Sequence, residues 1–260
     1  MQNKKKKRLL LWVAFAELVI IVIGLMIALW PRDDKELDAL LEQDVTFEYV
    51  EETETEAVAV PRPDIDKQLL TVNEYSRPGI KTDGIKYIVV HYLGNPKTTA
   101  QQNHDYFESL KNDLDEVYMS ANYIVGLDGE IIQCVPDDEI AYASNNENHE
   151  SISIENCHMD DTGKLNEATY HSLVSLVAYL SEKYHLDRDH IIRHYDVTGK
   201  ICPKYYVEHE ERWEEFKDDV MNNRAECEKE AEAARSTEET QMDELAAYLE
   251  SAAMDESEMS

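Results

Sequence analysis

Residues 86–92 (KYIVVHY) form a short apolar run that is rich in β-branched side chains. The run ends at the turn sequence Gly94-Asn95-Pro96, and this combination predicts a β-strand. Residues 151–156 (SISIEN) predict a second strand, because apolar and polar side chains alternate strictly along them. The alternation places the two isoleucines on one face of that strand and Glu155, with two serines, on the other.

Helix and hairpin signals surround these two strands. Residues 121–126 and 130–135 are typical of a β-hairpin, joined by the turn Leu127-Asp128-Gly129. Helices are predicted from a threonine cap and from the spacing of apolar side chains, at residues 99–110, 167–184 and 208–220. This order of elements indicates an α/β fold over residues 76–220, with a central mixed β-sheet flanked by helices.

Two acidic segments flank the predicted domain. Residues 31–60 and residues 221–260 each carry a net charge of −9. Repulsion between like charges, together with Pro61 and Pro63, predicts an extended stalk over residues 31–75. The tail at residues 221–260 is rich in alanine and glutamate, and we expect it to be disordered or transiently helical.

The amino-terminal segment predicts a membrane anchor. Residues 9–30 are apolar except for Glu17, and a helix of that length reaches about 33 Å, enough to cross a bilayer. The basic residues within positions 1–8 favour a cytoplasmic amino terminus, which places the rest of the chain outside the cell membrane as a single-pass protein. A cleaved secretory signal is the alternative, and it too exports the domain.

The overall charge excludes one class of function. Fifty-five acidic residues against 25 basic residues give a formal net charge of −30. Binding to phosphate backbones needs a concentrated basic face. The dense basic run is confined to residues 4–8, so we expect no nucleic-acid partner.

Three side chains are candidates for metal ligands. His91 ends the first predicted strand, His194 ends the short run HIIRH, and Cys202 follows eight residues later. Two imidazoles and a thiolate leave a tetrahedral Zn²⁺ one open position, which a catalytic zinc needs. Spacing alone leaves packing or surface roles open for all three.

Several motifs together resemble a known family. They are VVHYLGNP, SANYIVGLDGEIIQCVP, EIAYASNN, SISIENCH and IIRHYDVTGKICPKYY. Their order and sequence are similar to the zinc-dependent N-acetylmuramoyl-L-alanine amidases of the type-2 amidase family, which includes phage endolysins and is similar to the peptidoglycan recognition proteins. The resemblance covers residues 85–220 approximately. It implies a peptidoglycan substrate, cleaved at the amide between the lactyl group of N-acetylmuramic acid and L-alanine.

The resemblance also implies roles for individual residues. His91, His194 and Cys202 match the zinc ligands of the family. Glu155 matches an acidic residue near the metal, which would accept a proton from water and pass it to the departing nitrogen. Lys200 matches a lysine that would stabilise the developing oxyanion.

Two positions depart from the family pattern. Asn122 stands where many relatives have a histidine, and Ala121 stands where some phage enzymes have a tyrosine. We therefore expect Glu155 to move the proton. The alternative function is a non-catalytic module that binds peptidoglycan; the presence of Cys202 favours the enzyme, because recognition proteins without activity often lack this cysteine.

The remaining cysteines leave two possibilities open. Cys134 and Cys157 lie in or beside predicted strands, where they are either a disulfide or two buried thiols. Cys227 lies in the acidic tail and is either a free thiol or a residue that pairs between molecules.

Overall fold

A computed structural model describes residues 59–112 and 116–258, with side chains through residue 242. The basic segment at residues 1–8, the predicted membrane helix at residues 9–30 and the first part of the predicted stalk lie outside the described residues. Within the part of the chain that the structure describes, no helix combines the length and the apolar character that crossing a bilayer requires.

A mixed six-stranded sheet forms the centre of the fold. Its strands are Asp66–Lys67 (β1), Tyr87–Val90 (β2), Tyr123–Val125 (β3), Ile131–Gln133 (β4), Ser151–Asn156 (β5) and Ile191–Arg193 (β6). Their order across the sheet is β1-β4-β3-β5-β2-β6. The β3–β4 hairpin is antiparallel, whereas β2 is parallel to both β5 and β6. The predicted mixed sheet and hairpin are confirmed.

Helices cover the sheet and connect its strands. They are Ala100–Ser109 (α1), Glu167–Lys183 (α2), His194–Thr198 (α3), Lys204–Glu208 (α4) and Glu210–Glu258 (α5), with 3-10 helices at Leu110–Asn112, Asn145–His149 and Arg188–His190. The predicted cap of α1 is confirmed as a capping box. The Gln102 amide donates to Thr99 Oγ1 at 3.2 Å, and the Thr99 amide donates to Gln102 Oε1 at 3.0 Å.

Two hydrophobic clusters fill the two faces of the sheet. On one face, α2 and the first turns of α5 pack against Ile152 and Ile154, and Trp213 and Phe216 of α5 are completely buried there. On the other face, α1 packs against the β3–β4 hairpin through Phe107. Burial on both faces explains why the serines of β5 are buried as well as its isoleucines.

The alternatives for Cys134 and Cys157 are resolved in favour of thiols. Cys134 and Cys157 are both buried in the cluster around α1, and both are free. Cys227 has no disulfide partner among the described residues and packs against the edge of the other cluster, and its pairing between molecules stays a prediction.

The folded unit begins earlier than residue 76. Val60, Ile65 and Leu70 are buried, and β1 pairs with β4. The backbone amides of Ala59 and Val60 each donate to the Glu182 carboxylate at 2.6 Å. The predicted stalk therefore ends before residue 59. Its acidic composition suggested an extended segment as far as residue 75, but the buried side chains of Val60, Ile65 and Leu70 attach residues 59–75 to the domain.

The carboxyl-terminal boundary also lies further along the chain. α5 continues past residue 220 as one helix to Glu258. Met221 and Cys227 still pack against the core, and Arg224 donates to the Leu186 carbonyl at 3.1 Å. The predicted domain end at residue 220 is thus about two helical turns too early.

Candidate metal centre

The two candidate histidines follow neighbouring parallel strands. Val90 of β2 lies opposite Arg193 of β6 in the sheet register. His91 is the next residue after β2, and His194 is the next residue after β6 and the first of α3. The carboxyl ends of parallel strands meet at one edge of a sheet, so both imidazoles emerge side by side.

Cys202 is returned to this edge by a tight turn. α3 ends at Gly199, whose φ of 78° is in the left-handed region that favours glycine. The chain then reverses, and the Tyr195 amide donates to the Cys202 carbonyl at 2.9 Å. This bond holds the cysteine beside the first turn of α3.

The three side chains form a compact buried group. Their candidate ligand atoms all lie within 4.8 Å of one another. Cys202 Sγ is 3.8 Å from His91 Nδ1, and the His91 and His194 rings meet edge to face with centroids 4.8 Å apart. His194 Nδ1 is buried and has no hydrogen-bond partner among the described residues.

Polar side chains hold the outer nitrogens of both imidazoles. His91 Nε2 lies 3.0 Å from Ser144 Oγ, and His194 Nε2 lies 3.2 Å from Asn145 Oδ1. Sequence reasoning missed Ser144 and Asn145. They lie in the quoted motif EIAYASNN, but neither residue type nor spacing connected them with the histidines.

The electrostatics of the group suit a bound cation. Burial, followed by the charges of His194 and Lys200, holds the pKa of His91 well below its usual range. Burial and Lys200 also lower the pKa of His194. Both rings are therefore neutral at neutral pH, the form that ligates metals.

The cysteine shows the complementary property. Burial and the nearby Glu155 raise the pKa of the Cys202 thiol to about 12. Zinc bonds of about 2.0 Å to nitrogen and 2.3 Å to sulfur place two ligands about 3.5 Å apart, close to the Cys202–His91 separation. Neutral imidazoles, the orphaned His194 Nδ1 and a thiol that a cation would deprotonate together fit a divalent metal such as Zn²⁺.

Glu155 and Lys200 lie next to this group. Glu155 is on β5, where the amide of His91 donates to the carbonyl of its neighbour Ile154 at 2.9 Å. Its Oε2 is buried without a hydrogen-bond partner among the described residues. Burial raises the pKa of Glu155 to about 7, and the charge of Lys200 opposes that rise. Lys200 itself is exposed.

Asn122 has a structural role in the fold. Its side chain accepts from the Ser153 amide at 2.9 Å and donates to the Pro136 carbonyl at 3.0 Å. Ala121 is completely buried. At the two positions that depart from the family pattern, Asn122 therefore bonds to the backbone and Ala121 packs in the core.

Comparisons with known proteins point to one family. Residues 81–205 match the family described as N-acetylmuramoyl-L-alanine amidase. N-acetylmuramoyl-L-alanine amidase CwlL of Bacillus licheniformis is 32% identical over 189 residues, covering 67% of this chain and 52% of the relative. N-acetylmuramoyl-L-alanine amidase BlyA of Bacillus subtilis (strain 168) is 32% identical over 172 residues, covering 58% of this chain and 45% of the relative. The chain spans about half the length of these curated relatives.

A solved structure shares the fold. The solution structure of the PlyG catalytic domain superposes with a TM-score of 0.53 at 26% identity. The match covers 62% of this chain and 95% of that domain. The similarity therefore spans nearly the whole of a separately solved catalytic domain.

Proposed function

Because residues 81–205 belong to the N-acetylmuramoyl-L-alanine amidase family, we propose that this protein hydrolyses peptidoglycan. The bond cleaved is the amide between the lactyl group of N-acetylmuramic acid and L-alanine of the stem peptide. The observation that carries the proposal is the buried group of His91, His194 and Cys202 beside a partly buried, unpaired carboxylate. This arrangement suits amide hydrolysis by an activated water.

His91, His194 and Cys202 would hold the metal through two neutral imidazoles and one thiolate. A Zn²⁺ ion bound there would lower the pKa of a water and polarise the amide carbonyl. Four-coordinate zinc has one more position than these three residues fill. The donor set therefore leaves room for a reacting group.

Glu155 is placed to move the proton. Its pKa of about 7 lets the carboxylate accept a proton from the attacking water and return it to the departing alanine nitrogen near neutral pH. Its Oε2 has no hydrogen-bond partner among the described residues. The residue would act first as a base and then as an acid.

Lys200 would stabilise negative charge on the amide oxygen as it develops. Its charge is felt at His91, His194, Glu155 and Cys202, whose pKa values it lowers. A cation close to all four groups is also close to the reacting carbonyl. Because Lys200 is exposed, it can approach the substrate from the solvent side.

The amino-terminal segment would anchor the enzyme to the cell membrane. Residues 9–30 are apolar over a length that spans a bilayer, and residues 4–8 are basic. We infer a single-pass topology with the amino terminus in the cytoplasm and the catalytic domain outside. The supporting features are in the sequence, since these residues lie outside the described part of the structure.

Product analysis tests the proposed reaction. The full chain in detergent is incubated with purified peptidoglycan, and soluble products are identified by mass spectrometry. We expect stem peptides with a free L-alanine amino terminus and glycan chains with free lactyl carboxylates. Binding to peptidoglycan without release of these peptides would contradict the enzyme and support a recognition module.

A further inference from the structure

We propose that Ser144 and Asn145 are positioning residues that fix the tautomer of both metal-site imidazoles. The inference rests on the proposed metal centre and deepens it. By accepting a hydrogen bond from Nε2 of each ring, the two residues leave Nδ1 of each ring unprotonated and free to bind the cation. Metal-binding histidines commonly need such an outer partner.

Asn145 determines the direction of the hydrogen bond to His194. Its Oδ1 lies 3.2 Å from His194 Nε2, and an amide oxygen can only accept. His194 Nε2 must therefore carry the ring hydrogen. A neutral imidazole carries only one, so Nδ1 has a free lone pair. This explains how a buried Nδ1 stands without a hydrogen-bond partner in the part of the chain that the structure describes.

Ser144 performs the same task for His91 through a short chain of hydroxyls. Its Oγ lies 3.0 Å from His91 Nε2 and 2.8 Å from Ser153 Oγ. Either hydroxyl can donate in the Ser144–Ser153 contact. With Ser144 as the donor to Ser153, a lone pair of Ser144 Oγ accepts from His91 Nε2. His91 Nδ1 then faces Cys202 Sγ at 3.8 Å without a proton.

One turn of the chain supplies both contacts. Ser144 precedes the 3-10 helix Asn145–His149, and its amide donates to Asn148 Oδ1 at 2.6 Å. Ser144 is completely buried. Asn145 has a φ of 54°, a left-handed conformation that asparagine tolerates well. Because the two residues are adjacent, this turn sets the orientation of both rings together.

Zinc affinity measured by chelator competition on the full chain in detergent tests the inference. Ser144→Ala removes one acceptor. Asn145→Gly removes the other and remains compatible with the left-handed backbone. We expect each variant to bind Zn²⁺ about 10- to 100-fold more weakly than wild type. Asn145→Asp keeps an oxygen acceptor and should stay within about threefold of wild type.

Ser151→Ala provides a matched control. Ser151 is a buried serine on the same strand as Ser153, but its hydroxyl has no hydrogen-bond partner among the described residues. This variant loses a similar atom in a similar environment, and we expect its zinc affinity to be unchanged. Equal losses in Ser151→Ala and Ser144→Ala would overturn the inference, because the loss would then be a general packing effect.

A second readout uses the metal-free protein, so it does not depend on zinc binding. Imidazole ¹⁵N chemical shifts report which nitrogen carries the hydrogen. We expect the Nε2–H tautomer for both rings in wild type, with Nδ1–H populated for His91 in Ser144→Ala and for His194 in Asn145→Gly. Unchanged tautomers in both variants would overturn the inference. Failure of wild type to bind zinc would instead contradict the proposed function, and the tautomer measurement would still decide the inference.

Discussion

At the scale of single residues, Glu155 combines burial, an unpaired oxygen and a raised pKa. Glu155→Gln keeps the shape of the side chain and removes its ability to take a proton. We expect turnover of peptidoglycan to fall about 100- to 10,000-fold, with zinc content unchanged. Steady-state assays paired with metal analysis check this. Wild-type turnover in the variant would remove Glu155 from the reaction.

Lys200 offers a second test of the same chemistry. Lys200→Met removes the charge but keeps most of the length of the side chain, and Lys200→Arg keeps the charge. We expect about 100-fold loss of kcat in the methionine variant and a smaller loss in the arginine variant. Comparing kcat with KM for the two variants separates stabilisation of charge from substrate binding. Equal kcat values in all three proteins would contradict the proposed role.

At the scale of elements, an ion pair connects the segment before β2 with the loop that follows β4. Arg77 Nε donates to Glu139 Oε2 at 2.7 Å, and Arg77 Nη1 donates to the Leu70 carbonyl at 2.8 Å. Both charged side chains are largely buried. The hydrogen bonds from Arg77 hold the pKa of Glu139 below its usual value. The folded state therefore binds a proton at this carboxylate less readily than the unfolded chain.

This linkage predicts a pH-dependent effect of Glu139→Gln. At pH near 7 the variant should lose about 1 to 3 kcal/mol in its free energy of unfolding. The wild-type advantage is complete above the unfolded carboxyl pKa of about 4.3 and shrinks as the pH falls below it. Denaturant titrations of wild type and variant, near pH 7 and again at a pH below about 4.3, measure the difference in the free energy of unfolding. Asp138→Asn is the control, because its pair with Lys81 is exposed and should contribute little.

The helix α5 divides into a packed part and an exposed part. Trp213, Phe216 and Val220 are buried, whereas the side chains from Glu228 to Met242 are almost all exposed. Removing residues 231–260 should therefore leave the melting temperature and zinc content unchanged. Trp213→Ala, in the packed part, should instead lower the free energy of unfolding by about 3 to 5 kcal/mol. A large loss of stability on truncation, measured by thermal unfolding, would contradict this division.

The elements could be predicted from the sequence where local patterns decide them. The strict alternation of residues 151–156, the turn after residue 126 and the threonine cap of α1 are all local signals, and the structure bears them out. The domain edges could not be predicted. Val60 and Leu70 lie in short apolar runs with no strand or helix period. Their backbone amides bond to Glu182 and to the Cys134 carbonyl, partners that lie more than 60 residues away in the chain.

The candidate site shows the same limit. The ligand set followed from a family resemblance, since His91 lies about 100 residues before His194 and Cys202 and the three carry no local pattern of their own. Ser144 and Asn145 could not be predicted from the sequence, because they reach the imidazoles only through the strand register and the 3-10 helix that begins at Asn145. Short polar residues have many roles, and only tertiary contacts distinguish them.

At the scale of the whole molecule, the distribution of charge and the apolar run at residues 9–30 support the proposed single-pass membrane topology. The net charge of −30 is concentrated partly in residues 31–60 and 221–260, while residues 1–30 carry +4. We expect the full chain to remain with the membrane fraction after alkaline extraction. A variant without residues 1–30 should be released. External protease acting on intact wall-stripped cells should cleave the domain, and complete protection would contradict the proposed orientation.

The central claim is that His91, His194 and Cys202 hold the zinc that drives amide hydrolysis. Its most direct test is metal reconstitution: the full chain is stripped with a chelator, titrated with Zn²⁺, and assayed for release of peptides with L-alanine amino termini. We expect no activity without metal, full activity at one zinc per chain, and neither tight binding nor activity in Cys202→Ser. Full activity in the metal-free wild type, or in Cys202→Ser, would contradict it.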